Sequence, residues 1–208
     1  MAGRTTPRMK LWLAGSVLLG GLAVQPAEAA KLLPGQDPAT FYPRSMYLDQ
    51  ARMNAILTDG ALWCMDPQAE TCGFISIVTG SSGNEFHYDV IEKWDEHSIL
   101  STPVTGVLRD DGALCEMTTG TFDDISVTST KGKPTSSARL EDIRAELRDI
   151  WKDDVGVEYC YTYVIEDPRD PNIITQFVYA DGEYIDNPVS FIVDKSPDAM
   201  SRYDLRDL

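Results

Sequence analysis

Two histidines, His87 and His97, fall within eleven residues that also carry Asp89, Glu92 and Asp95. On a strand, alternation puts His87 and Asp89 on one face, so a carboxylate could orient an imidazole as a general base. Ser81 and Ser82 stand just upstream as conceivable nucleophiles, and a small hydrolase using His87 or His97 would follow. A working triad also needs its serine on a strained elbow beside an oxyanion hole, and no G-x-S-x-G signature is present. The simpler account is a solvated polar face of an edge strand. The same residues lack a metal-binding spacing such as H-E-x-x-H.

Oxygen-rich turns are a second possibility. Glu166-Asp167-Pro168-Arg169-Asp170 and the stretch from Asp181-Gly182-Glu183 to Asp186-Asn187 offer ligands of the kind hard cations prefer. Neither has the regular alternation and terminal glutamate of a calcium loop, and ordinary turns have the same composition.

Tyr159, Tyr161 and Tyr163 alternate strictly, which puts three rings on one face of one strand. Phe177 and Tyr179 are expected nearby on the next strand. Rings with hydroxyl tips combine large contact area with polar handles, so this set is the leading candidate for a binding face. The competing account is a sheet face covered by a helix, with each hydroxyl reaching water at the rim.

Four cysteines, Cys64, Cys72, Cys115 and Cys160, form an even set, and the chain begins like an exported protein. Arg4, Arg8 and Lys10 precede the apolar run Leu11–Val24, and Ala27-Glu28-Ala29 supplies a small-x-small cleavage pattern, so residues 1–29 read as a secretory signal. An oxidising compartment then predicts two disulfides. The favoured pairs are Cys64–Cys72, around the turn-forming Asp66-Pro67, and Cys115–Cys160, across a predicted helix. Zinc is disfavoured because no C-x-x-C pair exists and only two histidines are available. Paired thiols also leave no nucleophile, and no motif implies a cofactor.

The elements that would position these residues are mostly strands. Residues 30–44, with three prolines, read as an extended lead-in to a single β-rich domain at 45–208. A short helix is expected over about 45–57, capped by Ser45 and stopped at Asp59-Gly60. Cys72–Thr79, apolar on both faces, suggests a well-covered strand. Ser81-Ser82-Gly83-Asn84 forms a turn, and Phe86, Tyr88 and Val90 alternate onward toward Trp94 in a half-buried strand. Val104–Leu108 and Ala113–Met117 flank the hairpin signal Asp110-Asp111-Gly112. Leu140, Ile143, Leu147, Ile150 and Trp151 recur at helical spacing, which predicts an amphipathic helix over about 136–152 that ends by Gly156. Val157–Ile165, Ile173–Ala180 and Val189–Val193 close the chain as strands. The fold class is therefore α+β and β-dominated: an antiparallel meander, or an incomplete barrel or sandwich, with one helix packed on it.

The 208 residues carry 18 basic and 33 acidic side chains, for a net charge of −15. Loss of the signal leaves 179 residues with 15 basic and 32 acidic side chains, or −17. That field repels nucleic acid and anionic headgroups, so nucleic-acid binding is excluded. No cysteine near the cleavage point could carry a lipid, so the mature chain is expected to be soluble, periplasmic or secreted, without stable membrane anchoring.

Ser82-Gly83-Asn84-Glu85-Phe86 is similar to the S-G-x-x-Y loop of periplasmic lysozyme inhibitors, which are small disulfide-bonded β-barrels, with Phe here in place of Tyr. The resemblance implies inhibition of a cationic exoenzyme such as lysozyme, which an acidic protein would meet readily. Gly60-Ala61-Leu62-Trp63 resembles the lipocalin opening, although glycine and tryptophan stand one residue closer there. The preferred reading is an exported, disulfide-stabilised domain that is not an enzyme and binds a small ligand, or a cationic or envelope protein, through its aromatic face. Lysozyme inhibition and the small hydrolase are the alternatives.

Overall fold

A computed structural model describes residues 35–206. The expected signal and the start of the lead-in lie outside the described residues. Within the lead-in, Pro38–Phe41 forms a single-turn helix, α1, because Asp37 accepts from the Ala39 N–H at its start. The helix expected over 45–57 is split. Arg44–Met46 makes one 3-10 turn, and α2 spans only Gln50–Ile56 with Asp49, not Ser45, as its cap. The break has a backbone cause. Tyr47 pairs with Val164, and the Leu48 N–H donates to the Tyr163 carbonyl, contacts that hold this segment extended.

Eight strands make the barrel: β1 (Leu62–Met65), β3 (Phe74–Ser82), β4 (Glu85–Asp95), β5 (Ser98–Leu108), β6 (Leu114–Met117), β8 (Glu158–Val164), β9 (Ile173–Ala180) and β10 (Glu183–Asp194). Their order is β4-β3-β1-β10-β9-β8-β6-β5, and β5 pairs back onto β4, so the antiparallel sheet closes. The expectation of a β-dominated α+β fold holds, and closure removes every open edge along this ring. β7 (Ser126–Ser129) adds to β5 beyond the end of β6. A second, two-stranded parallel pair joins β2 (Thr71–Cys72) to β11 (Asp204–Leu205).

Turn chemistry sets the registers. Asp181 and Gly182, with φ of 48° and 81°, make the two-residue β9–β10 hairpin that such positive angles favour. β10 starts at Glu183 rather than Val189, and its register shifts between Ile185 and Val189. At the β5–β6 hairpin, Gly112 has φ 90°, and a Cβ there would lie 2.1 Å from the Leu48 carbonyl. Only glycine lets the segment before α2 cross this turn.

Both expected disulfides form. Cys64–Cys72 ties β1 to β2, and Cys115–Cys160 joins residues directly opposite in β6 and β8. In the chain-entropy account, closing loops of 8 and 45 residues stabilises by roughly 2–3 and about 4 kcal/mol.

Three groups of side chains cover the sheet. α3 (Ser137–Trp151), capped by Ser136, buries Ile143 and Leu147 against Leu100, Ile125 and Val127. The C-terminal segment with α4 (Ala199–Arg202) places Ala199, Tyr203 and Leu205 over Leu62, Ile75 and Ile77. That cover explains why β3 is apolar on both faces. Leu48, Met53 and Leu57, from α2 and its flanks, enter the main core with Ala61, Val78, Phe86, Leu108 and Val193. No helix among the described residues is long and apolar enough to cross a membrane.

Candidate functional site

The inward-facing positions of most barrel strands grade from fully to partly buried along the barrel axis, whereas on β5 Leu100, in the phase of Val104 and Leu108, is again fully buried against α3. Toward the α2 end, Ala61, Trp63, Val78, Phe86, Tyr88, Leu108, Leu114, Tyr163, Ile174, Phe191 and Val193 are all buried. Further along the same strands, in phase with these, stand Met65 on β1, Phe74 on β3, Val90 on β4, Val104 on β5, Tyr161 on β8 and Val189 on β10. Each of these is only partly buried while packing on that core. The same grading holds for Glu92, Glu116, Gln176 and Val178. The interior is thus packed by α2 at one end and only partly buried toward the other, where α3 sits over Leu100 and its Trp151 lies against Tyr159. Eight-stranded barrels have an interior that side chains fill or that holds one small molecule.

Polar groups meet where the packed half gives way to the open half. The Tyr88 hydroxyl donates to one oxygen of Glu116, and the Tyr161 hydroxyl lies 3.4 Å from the other. Gly106 makes room for this arrangement, since a Cβ there would come within 2.8 Å of Leu114 Cδ1 and 3.5 Å of Tyr88 Cε1. Burial pushes the Glu116 carboxyl up to about 8, even though the Tyr161 hydrogen bond favours the ionised form. Burial and the neighbouring Glu116 drive the Tyr161 phenol well above its ordinary range. Glu92, opposite Phe74 and Leu100 in the register, is raised by burial alone. Deeper in, Gln176 Nε2 donates to the Tyr163 hydroxyl at 3.0 Å. Trp63 stacks edge-on with Tyr163 and Phe191, and its buried indole N–H has no hydrogen-bond partner among the described residues.

The predicted aromatic set divides between two faces. Tyr159, Tyr161 and Tyr163 do share the inward face of β8. Tyr163 is buried in the core, Tyr161 lies at the polar boundary, and Tyr159 stands near the mouth with its ring 6.4 Å from that of Trp151 on α3. Burial and nearby Asp154 raise the Tyr159 phenol to about 12. Phe177 and Tyr179 face outward instead, because they pair with Thr162 and Cys160, the residues between the tyrosines. There Phe177 is fully buried beside Tyr42, and the Tyr179 hydroxyl contacts Asp37 at 3.3 Å. The lead-in covers that outer patch.

His87 and His97 lie toward opposite ends of β4. His87 Nδ1 is 3.0 Å from the Thr105 hydroxyl and its Nε2 is 3.4 Å from Glu85, whereas His97 sits exposed in the following turn beside Glu96. Neither is hydrogen-bonded to a serine among the described residues. In the 166–170 turn, Arg169 clamps Asp167 and holds its carboxyl down at about 2, while Glu166 takes the Tyr42 and Thr175 hydroxyls.

Sequence reasoning named Glu92 only in the histidine cluster and Tyr88 only as a strand position, and it passed over Glu116 and Gln176. A signal was present: Glu92 continues the apolar phase of Phe86, Tyr88 and Val90, and Glu116 continues that of Leu114. An acid in the buried phase of a strand marks a polar feature of the interior. Searches of family models, curated proteins and solved structures find no match to this chain.

Proposed function

We propose that this chain is an exported binding protein that holds a small, largely apolar ligand in the open half of its barrel and carries out no chemistry on it. The observation that carries the reading is the grading of inward residues from fully to partly buried on most of the barrel strands. Apolar walls with a few convergent polar groups are the usual make-up of a small-molecule site. Tyr161 and Tyr159, from the predicted aromatic stripe, supply rings and hydroxyls at the depth a ligand would reach. The secretory signal read in residues 1–29 and the two disulfides support an oxidising, extracytoplasmic setting.

Titration with the neutral fluorophore N-phenyl-1-naphthylamine tests this. Val104→Trp would fill the inward side of β5 and should abolish enhancement, whereas Val107→Trp, at an outward position 48% exposed, should not. Equal behaviour of the two variants counts against the bore as the site.

A second reading rests on the β3–β4 hairpin. Its tip, Ser82-Gly83-Asn84, is exposed, Gly83 has φ 63°, and the protein is strongly acidic. An exposed tip could enter the cleft of a cationic exoenzyme such as lysozyme. Lysozyme turnover with stoichiometric protein at low salt decides it; full activity removes this reading.

A further inference from the structure

At the α2 end of the molecule, and independently of the barrel reading, we infer a second site, one that takes a small zwitterion: a carboxylate and an ammonium joined by a short spacer, as in an amino acid. Arg44, Ser45, Tyr47, Asp49 and Arg52, from the segment that enters α2, and Asp111, from the β5–β6 turn, line a cavity of about 270 Å³. Two positive and two negative side chains therefore border one space. Elsewhere Arg109, Arg139, Arg202 and Arg206 each meet a carboxylate. Among the described residues, none of the four charges around this cavity belongs to an ion pair, with each other or with anything else.

Each of the four is oriented by something other than an opposite charge. Arg52 Nη1 donates to the Ser45 carbonyl at 3.3 Å and to the Tyr47 carbonyl at 3.4 Å, and the Arg44 guanidinium lies 5.9 Å from the centre of the Tyr47 ring. Asp49 accepts from the Arg52 N–H and Asp111 from the Ala113 N–H, each through Oδ1. The second oxygen of each carboxylate is left over, as are further N–H groups on both guanidinium forks. The two walls are fixed as well. Tyr47 is paired with Val164 on β8, and the Leu48 carbonyl sits so close over Gly112 that the β5–β6 turn cannot slide past it.

Charges of both signs, held apart around one cavity, fit a guest that carries both. Its carboxylate accepts from the guanidinium groups, and its ammonium donates to the spare aspartate oxygens. An anion alone would also meet Asp49 and Asp111, and a cation alone would meet the two arginines. A zwitterion has no net charge, so it gains nothing from the overall field of an acidic protein, and any preference for it reports the local arrangement. Contacts already formed in the empty site lower the ordering cost of binding.

The test is titration with glycine, 4-aminobutyrate and 6-aminohexanoate, followed by proton–nitrogen NMR in about 0.15 M salt, where the surface field reaches only about 8 Å. The best-fitting amino acid is then compared with the simple acid and the simple amine of the same chain length. Saturable shifts are expected at the Arg44 and Arg52 Nε–H groups and at the Arg52 and Ala113 amides, which report on Asp49 and Asp111. The amino acid should bind roughly fivefold more tightly than either simple compound. Arg44→Gln should weaken it roughly threefold and leave the amine unaffected. Asp111→Asn, whose side chain can still accept from the Ala113 N–H, should weaken it to the same extent and leave the acid unaffected. Amine binding as tight as that of the amino acid marks general attraction to an acidic surface and overturns the inference. Unchanged affinity in either variant, or no shift at these groups across the series, overturns it too. The barrel reading is decided separately, by its own fluorophore titration.

Discussion

Replacing Glu116 by Gln should make the protein more stable at pH 8 and no more stable at pH 4.5. In the folded state this carboxyl titrates at about 8, against an ordinary value of 4.5. Between those values the folded state holds a proton that the unfolded chain has released, so stability falls as pH rises. The stabilising contribution is complete below 4.5 and is lost by the time the pH has passed 8. The gap corresponds to about 3–5 kcal/mol in all, of which roughly 3 is lost by neutrality. Glutamine is neutral throughout, keeps the shape, and can accept from Tyr88 while donating to Tyr161. Glu92 is raised by burial and contributes with the same sign, so only the difference between wild type and variant isolates Glu116. Asp167, Asp194 and Asp198 are lowered and act at more acid pH, outside this window. The assay is urea unfolding of both proteins at several pH values from 4.5 to 9. A stability difference that does not grow with pH would refute the assignment of Glu116 as a buried acid.

Other perturbations have magnitudes set by the same structure. Removing Cys115–Cys160 by a double Cys→Ala change should cost about 4 kcal/mol in denaturant unfolding, more than the roughly 2–3 kcal/mol for Cys64–Cys72, because the longer loop frees more unfolded-chain entropy. Met53→Ala, at a side chain with no exposure, should cost about 2–5 kcal/mol and loosen the plug, seen as faster amide exchange at Leu48 and Leu57. Gly112→Ala combines a φ of 90° with a Cβ 2.1 Å from the Leu48 carbonyl. It should destabilise by more than about 2 kcal/mol by thermal melting, since backbone rather than a flexible side chain must move.

Much of the framework was legible in the sequence because it depends on local rules. The α3 periodicity, the Asp181-Gly182 hairpin, the Asp110-Asp111-Gly112 turn and the four-cysteine arithmetic each need only neighbours in the chain to be read. Barrel closure was not legible, since the β4–β5 and β3–β4 pairings look like an open meander until β1 meets β10. The split before α2 was missed for a similar reason: Tyr47 is drawn out of a helix by β8, more than a hundred residues away. The tyrosine stripe showed its shared face but not which side of the sheet it would take. Phe177 and Tyr179 were expected beside it because both strands alternate, yet the register Thr162↔Phe177 puts them on the other side. A one-residue change in pairing decides such a matter, and sequence periodicity alone does not set it.

The central claim, a barrel plugged at one end and receptive at the other, is tested most directly by valine-methyl NMR spectra during titration with N-phenyl-1-naphthylamine. Val90, Val104, Val178 and Val189 are the partly buried inward valines of the proposed site, whereas Val107 and Val155 are exposed. The account predicts saturable shifts at the first four and none at the last two. Shifts confined to Val107 and Val155, or spread evenly over all six, would contradict it.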